Sequence, residues 1–166
     1  MIKLYTEFRL FRPLILIYLL YFISLLAYSD DNLRNLKVPD GFEINIFAKD
    51  INTPRQIAET KNGHIIVGSK KGSEVIALIR QDNVGTYKKV IVANGLENPA
   101  GVAFHKGDLY FAEMDTIWVV NKIDSWLESN SLKLPEKRIF MNNLPSETWH
   151  GLKYIDFGPD DNLYIP

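Results

Sequence analysis

Trp149-His150-Gly151-Leu152-Lys153-Tyr154-Ile155-Asp156-Phe157-Gly158-Pro159-Asp160-Asp161-Asn162-Leu163-Tyr164-Ile165-Pro166 is the stretch that decides how the rest of the chain is read. An apolar-rich run ends at Phe157, Gly158-Pro159-Asp160-Asp161-Asn162 carries the residues that reverse a chain, and Leu163-Tyr164-Ile165 resumes the apolar run. That is strand, turn, strand. The same layout occurs twice upstream. Pro54-Arg55-Gln56-Ile57-Ala58 leads through Lys61-Asn62-Gly63 into His64-Ile65-Ile66-Val67-Gly68, and Pro99-Ala100-Gly101-Val102-Ala103-Phe104 leads through His105-Lys106-Gly107 into Asp108-Leu109-Tyr110-Phe111-Ala112. Further strands follow the first two copies, at Val75-Ile76-Ala77-Leu78-Ile79 and Ile117-Trp118-Val119-Val120.

With Gln56, Gly101 and Gly151 in register the units lie 45 and 50 residues apart. A repeat of about 40–50 residues holding several short strands is the mark of a β-propeller blade. The polar insert Asp124 to Glu136 lengthens the second unit, and Ser125-Trp126-Leu127-Glu128 within it reads as a short helical turn. The fold class is therefore all-β, a partial β-propeller of about three blades. A β-sandwich also uses regularly spaced strands and turns, but gives no reason for a recurring strand pair at blade length. Propellers close with about four to eight blades, so three units are expected to be part of a larger ring.

Upstream of the repeats, Pro39-Asp40-Gly41 is a turn signal, and Phe42-Glu43-Ile44-Asn45-Ile46-Phe47 alternates as a half-buried strand does. At the N-terminus Lys3, Arg9 and Arg12 precede an apolar run from Pro13 to Ala27, followed by Tyr28-Ser29-Asp30-Asp31. The run falls short of the ~20 residues of a spanning helix, and small residues at Ala27 and Ser29 suit a signal peptidase. Residues 1–29 are thus expected to be a signal peptide cleaved after Ser29, with a membrane anchor at residues 13–27 or a buried core helix as alternatives. Residues 30–166 form the propeller part, placed outside the cytoplasm in the periplasm or beyond.

Composition narrows the function. Nineteen Lys and Arg against 20 Asp and Glu give a net charge of −1 and no basic surplus to neutralise nucleic-acid phosphates. The absence of cysteine removes disulfides and thiolate metal sites from this stretch. No nucleophile-elbow, zincin, P-loop or dinucleotide fingerprint occurs. The repeat register places Arg55, Ala100 and His150 at equivalent positions where inner strands enter the channel of a propeller. Arginine offers a fixed fork of donors to carboxylates, phosphates or quinone oxygens, and histidine moves protons near neutral pH. The plainer alternatives are a hydrogen-bonded structural histidine and a surface pair of Arg55 with Glu59 or Glu97. His64 and His105 sit beside turn glycines and read as solvated, and Glu113 reads as an exposed strand-end carboxylate or a cation ligand.

Leu36-Lys37-Val38-Pro39-Asp40-Gly41-Phe42, Pro54-Arg55-Gln56-Ile57-Ala58, Asn98-Pro99-Ala100-Gly101-Val102-Ala103-Phe104, Gly107-Asp108-Leu109-Tyr110-Phe111-Ala112-Glu113, His150-Gly151-Leu152-Lys153-Tyr154-Ile155 and Phe157-Gly158-Pro159-Asp160 occur in this order. Together they resemble the glucose/sorbosone dehydrogenase family, over nearly all of the chain beyond residue 30. The resemblance implies an exported six-bladed propeller that oxidises a small sugar with pyrroloquinoline quinone (PQQ) and calcium. It implies that His150 is the general base on the anomeric hydroxyl while hydride passes to the quinone. Asn98 lies near a position where some relatives place a glutamine against cofactor or substrate, so a weaker cofactor-binding role is expected there, beside the one read for Arg55. No metal ligand is assigned to this stretch, because the family's remaining blades supply most contacts to quinone and calcium. Two other functions compete: an exported propeller that binds carbohydrate or protein without catalysis, and a calcium-dependent lactonase. The lactonase is disfavoured because it places carboxylate and asparagine ligands at the strand entries.

Overall fold

A computed structural model describes residues 33, 35–81, 87–129, 131–147 and 149–166. The expected signal segment, residues 1–29, lies outside the described residues. The chain divides into two compact units, Met1–Phe47 and Ala48–Pro166.

In the first unit, Phe42 N–H donates to the Pro39 carbonyl at 3.1 Å, with Gly41 at φ +85°. This is the turn expected from Pro39-Asp40-Gly41, with glycine at the position that needs a positive φ. The strand expected over Phe42–Phe47 is not formed: the segment belongs to no sheet among the described residues. Alternation supplies an apolar face, but a strand also needs a neighbouring backbone edge to bond to.

The second unit is built from antiparallel sheets. β1 (Pro54–Glu59), β2 (Ile65–Ser69), β3 (Val75–Arg80) and β4 (Tyr87–Ala93) form one four-stranded meander in sequence order. β5 (Gly101–His105), β6 (Asp108–Ala112), β7 (Ile117–Val120) and β8 (Arg138–Met141) form a second, with the single-turn helix α1 (Ile123–Glu128) between its last two strands. β9 (Asp156–Phe157) and β10 (Leu163–Tyr164) form a third hairpin. The expected helical turn at Ser125–Glu128 lies within α1, where Ile123 and Leu127 are buried.

Turn chemistry sets each hairpin. In the first, Gly63 N–H donates to Thr60 O (3.0 Å) and Thr60 N–H to His64 O (2.8 Å), with Gly63 at φ +80°. The third repeats this geometry: Asp161 N–H donates to Gly158 O (3.0 Å), Gly158 N–H to Asn162 O (2.9 Å), and Asp161 takes φ +63°. The second is tighter, with Lys106 (φ +49°) and Gly107 (φ +94°) both left-handed between paired His105 and Asp108. Two positive φ values make this a primed two-residue turn, whose twist matches that of the strands it joins.

The core lies between the first two sheets. Ile66, Val75, Ala77 and Val92 on one face of the first meet Val102, Leu109, Phe111 and Val120 of the second, all buried. The other face of the first sheet carries Val67, Ile76 and Leu78. The other face of the second carries Ala103, Ala112 and Ile117, which meet Ile155, Phe157, Leu163 and Ile165 of the third hairpin. Each sheet thus packs face to face with the next while the first strand of each unit lies innermost, which is a propeller-like arrangement.

Counting back from the paired hairpins corrects the expected register. Glu59 pairs with Ile65, Phe104 with Leu109 and Phe157 with Leu163. The equivalents of Gln56 and Gly101 in the third unit are therefore Tyr154 rather than Gly151, and the equivalent of Arg55 and Ala100 is Lys153 rather than His150. The third unit carries three additional residues before its strand, and the glycine match at 151 concealed them.

Candidate functional site

The three inner strands converge on one side chain, Gln56. Its Nε2 donates to Ile155 O at 2.8 Å, and its Oε1 accepts from Val102 N and Ile155 N, each at 3.3 Å. A half-buried amide in β1 thus satisfies backbone groups of β5 and of the strand entering β9. Backbone groups turned towards another element are costly to leave unpaired, and one glutamine supplies both a donor and an acceptor. Gly101 lets the same strands approach: a Cβ there would collide with the Lys153 carbonyl oxygen.

Arg55, one residue before Gln56, is exposed and lies over the Tyr154 ring with 5.5 Å from its guanidinium carbon to the ring centroid. The expected pairing with Glu59 or Glu97 does not form, because the guanidinium stacks on the aromatic residue of the third unit. Asn98 is half-buried at φ +50°, and its carbonyl accepts Ala100 N–H at 2.7 Å, turning the chain into β5. His150 is exposed, at φ +61°, edge-on to the 83% exposed Trp149 with ring centroids 5.2 Å apart. No hydrogen bond, ion pair or ring contact joins Arg55, Asn98 and His150 to one another among the described residues, so the structure does not bring the three together.

The loop that carries His150 is tied at several points. Leu144 N–H donates to Asp115 O at 3.1 Å, and Gly151 has no room for a side chain because Glu147 O and the Met114 methyl occupy that space. Beneath the loop, buried Lys153 sends its Nζ to Pro145 O at 2.8 Å and to Gly151 O at 2.9 Å. Neither Gln56 nor Lys153 was a candidate in the sequence beyond its place in the repeat. Lys153 had one available signal, a lysine inside an apolar strand entry.

The remaining candidates resolve as structural. His64 is buried, not solvated, and accepts Arg80 N–H through Nδ1 at 3.3 Å. His105 stacks on Phe157 at 4.0 Å between centroids and lies 3.2 Å from the Asp161 carboxylate. Each histidine meets a residue from another element, which adjacency to a turn glycine does not reveal. Glu113 accepts hydrogen bonds from Trp118 Nε1 and Glu97 N, closing the turn between β6 and β7. Asp160 accepts from Asn162 and from Tyr164 OH, and these bonds, the Asn162 side chain first, hold its carboxyl below the usual carboxylate range.

Among the described residues no group of three or more His, Cys, Asp or Glu is arranged to hold a metal ion. Arg55, at the start of β1 in the first unit, and His150, three residues before the Lys153 entry of the third, are exposed side chains of types that contact anions. No helix among the described residues is long and apolar enough to cross a membrane.

No protein-family model matches the chain. Among curated proteins it is 30% identical over 110 residues to an uncharacterized protein of Borreliella burgdorferi, a match covering 65% of this chain and 27% of that protein. Among solved structures it is similar to the holo PQQ domain of pyranose dehydrogenase from Coprinopsis cinerea, with a TM-score of 0.61 at 14% identity over 75% of this chain and 29% of that one. It is also similar to a carbohydrate-active enzyme of family AA12 from Trichoderma reesei, with a TM-score of 0.60, 19% identity and coverage of 79% and 35%. The PQQ-bound aldose sugar dehydrogenase of Streptomyces coelicolor gives a TM-score of 0.51 at 16% identity, covering 74% and 40%. The chain therefore spans roughly a third of the length of these structures, and the fold it shares with them is that of PQQ-dependent sugar dehydrogenase domains.

Proposed function

We propose that this chain is part of an exported quinoprotein that oxidises the anomeric hydroxyl of a small sugar. The observation that carries the reading is the fold shared with PQQ-dependent sugar dehydrogenase domains, combined with an exposed imidazole, His150, in the loop that leads into the third inner strand. In this reading PQQ, when bound, supplies the hydride acceptor. The residues of this chain do the rest of what can be assigned. His150 takes the hydroxyl proton as the C–H bond is lost, since hydride departure leaves a carbonyl only if a base receives that proton. Arg55 offers two parallel donors to a carboxylate or quinone oxygen, and Asn98 adds a weaker polar contact. The basic and apolar N-terminal segment, residues 1–29 with an apolar core at 13–27, supports export.

Dye reduction by the whole protein of which this chain is a part, supplied with PQQ, calcium and a panel of aldoses, tests the reading; the 166 residues alone are expected to bind the quinone poorly, since most of its contacts come from the remaining blades. Wild type is expected to reduce the dye, and His150→Ala to lose about 100-fold or more of the rate. Equal rates in the two proteins would remove His150 from the mechanism. A second reading, sugar binding without oxidation, draws on the exposed Trp149 ring beside His150, a surface on which a pyranose can stack. It predicts saturable quenching of tryptophan fluorescence by sugar with no dye reduction.

A further inference from the structure

Lys153 is a buried cation whose ammonium has no carboxylate partner among the described residues; it donates instead to two carbonyls, Pro145 O at 2.8 Å and Gly151 O at 2.9 Å. A lysine whose only task was to fill space would be replaced without loss by an apolar side chain of the same length, because burying a charge is costly. What an apolar chain cannot do is hold two carbonyl oxygens from opposite ends of one loop at one point. That loop, 145–151, has Trp149 and His150 near its end, and His150 stands at φ +61°. A non-glycine residue in the left-handed region sits in a sparsely populated backbone conformation that the surrounding structure has to maintain.

We propose that Lys153 is a positioning residue: by joining Pro145 O and Gly151 O on its ammonium it maintains the backbone conformation from which His150 presents its imidazole. The role in catalysis rests on the reading of His150 as the base, but the positioning itself does not. It is a property of the protein without quinone or sugar. The third unit places this lysine in register with Arg55 and Ala100, so the loop that carries His150 is the addition peculiar to this unit, and Lys153 is the side chain that ties it down.

The chain has only three histidines, so ¹⁵N-histidine labelling gives three ring spin systems, and His150→Ala assigns the one of interest. In Lys153→Met the His150 ring is expected to lose the ring-current displacement given by Trp149 and move to the shifts of a free histidine, while His64 and His105 keep theirs. Lys153→Arg, which retains the donors, is expected to keep most of that displacement. His150 signals in Lys153→Met that coincide with wild type would overturn the proposal. Movement of all three rings together would also overturn it, since Lys153 would then serve the fold as a whole. Because this readout needs no cofactor, the proposal stands or falls separately from the dehydrogenase reading, which the dye assay tests.

Discussion

The hairpin β5–β6, on a two-residue turn, and the hairpin β9–β10, on the longer Gly158–Asn162 turn, occupy equivalent places in their units and differ in extent. In the first, five consecutive residue pairs form from Gly101↔Ala112 to His105↔Asp108, and the next strand adds itself to β6. In the second only Phe157↔Leu163 and Tyr164↔Asp156 pair. Phe111 is fully buried, whereas its counterpart Ile165 is half-buried and the neighbouring Tyr164 is 57% exposed. The difference teaches that the turn starts a hairpin but burial on two faces extends it. The second sheet is covered by the first sheet on one side and by the third hairpin on the other. In the third hairpin the inner strand is held instead by side-chain bonds, those of Gln56 to Ile155.

The comparison breaks most sharply at Phe111. Phe111→Ala is expected to destabilise the protein by about 3–5 kcal/mol, against well under about 1 kcal/mol for Tyr164→Ala, measured by urea unfolding. Equal losses would mean that the two hairpins are buried alike. Gln56→Ala comes next, at about 1–3 kcal/mol for the backbone groups it leaves unpaired. Hydrogen exchange should rise at the Val102 and Ile155 amides and stay unchanged at Leu109. Protection retained at Ile155 would show that packing alone holds the inner strand of the third unit.

The smallest effect is at the tip, where the two hairpins touch through Lys106, His105 and Asp161. The Asp161 carboxyl is held below its ordinary value of 3.8, chiefly by the Lys106 hydrogen bond, with His105 lowering it further and Asp160 opposing. A depressed carboxylate stabilises the fold above the ordinary value and loses that contribution as pH falls through the folded one. Asp161→Asn should therefore lower the melting temperature slightly at pH 7 and leave it unchanged near pH 2. A difference that persists in acid would place the effect in the turn rather than in the charge.

Much of this architecture could be read from residue order. Lys61-Asn62-Gly63, Lys106-Gly107 and Gly158-Pro159-Asp160-Asp161-Asn162 name their turns because positive φ and Asx hydrogen bonds are local properties. Ser125-Trp126-Leu127-Glu128 names a helical turn for the same reason. The strand expected at Phe42–Phe47 failed because pairing requires an edge supplied from elsewhere. The register at Gly151 failed because three extra residues in a loop leave no local mark. His64 and His105 looked solvated because the groups they meet, Arg80, Phe157 and Asp161, come from other elements.

From sequence alone came the repeated strand–turn–strand unit and the all-β class, since each depends on residue type and on spacing within a few tens of residues; His150 as a candidate base came from its residue type and from the family resemblance. Tertiary structure alone decided that Gln56 reaches Ile155 across 99 residues, that Arg55 lies on Tyr154, and that Lys153 is buried under the loop that carries His150. Those are contacts between elements whose approach is set by packing of whole sheets, and no local pattern encodes which side chain will be at the point where they meet.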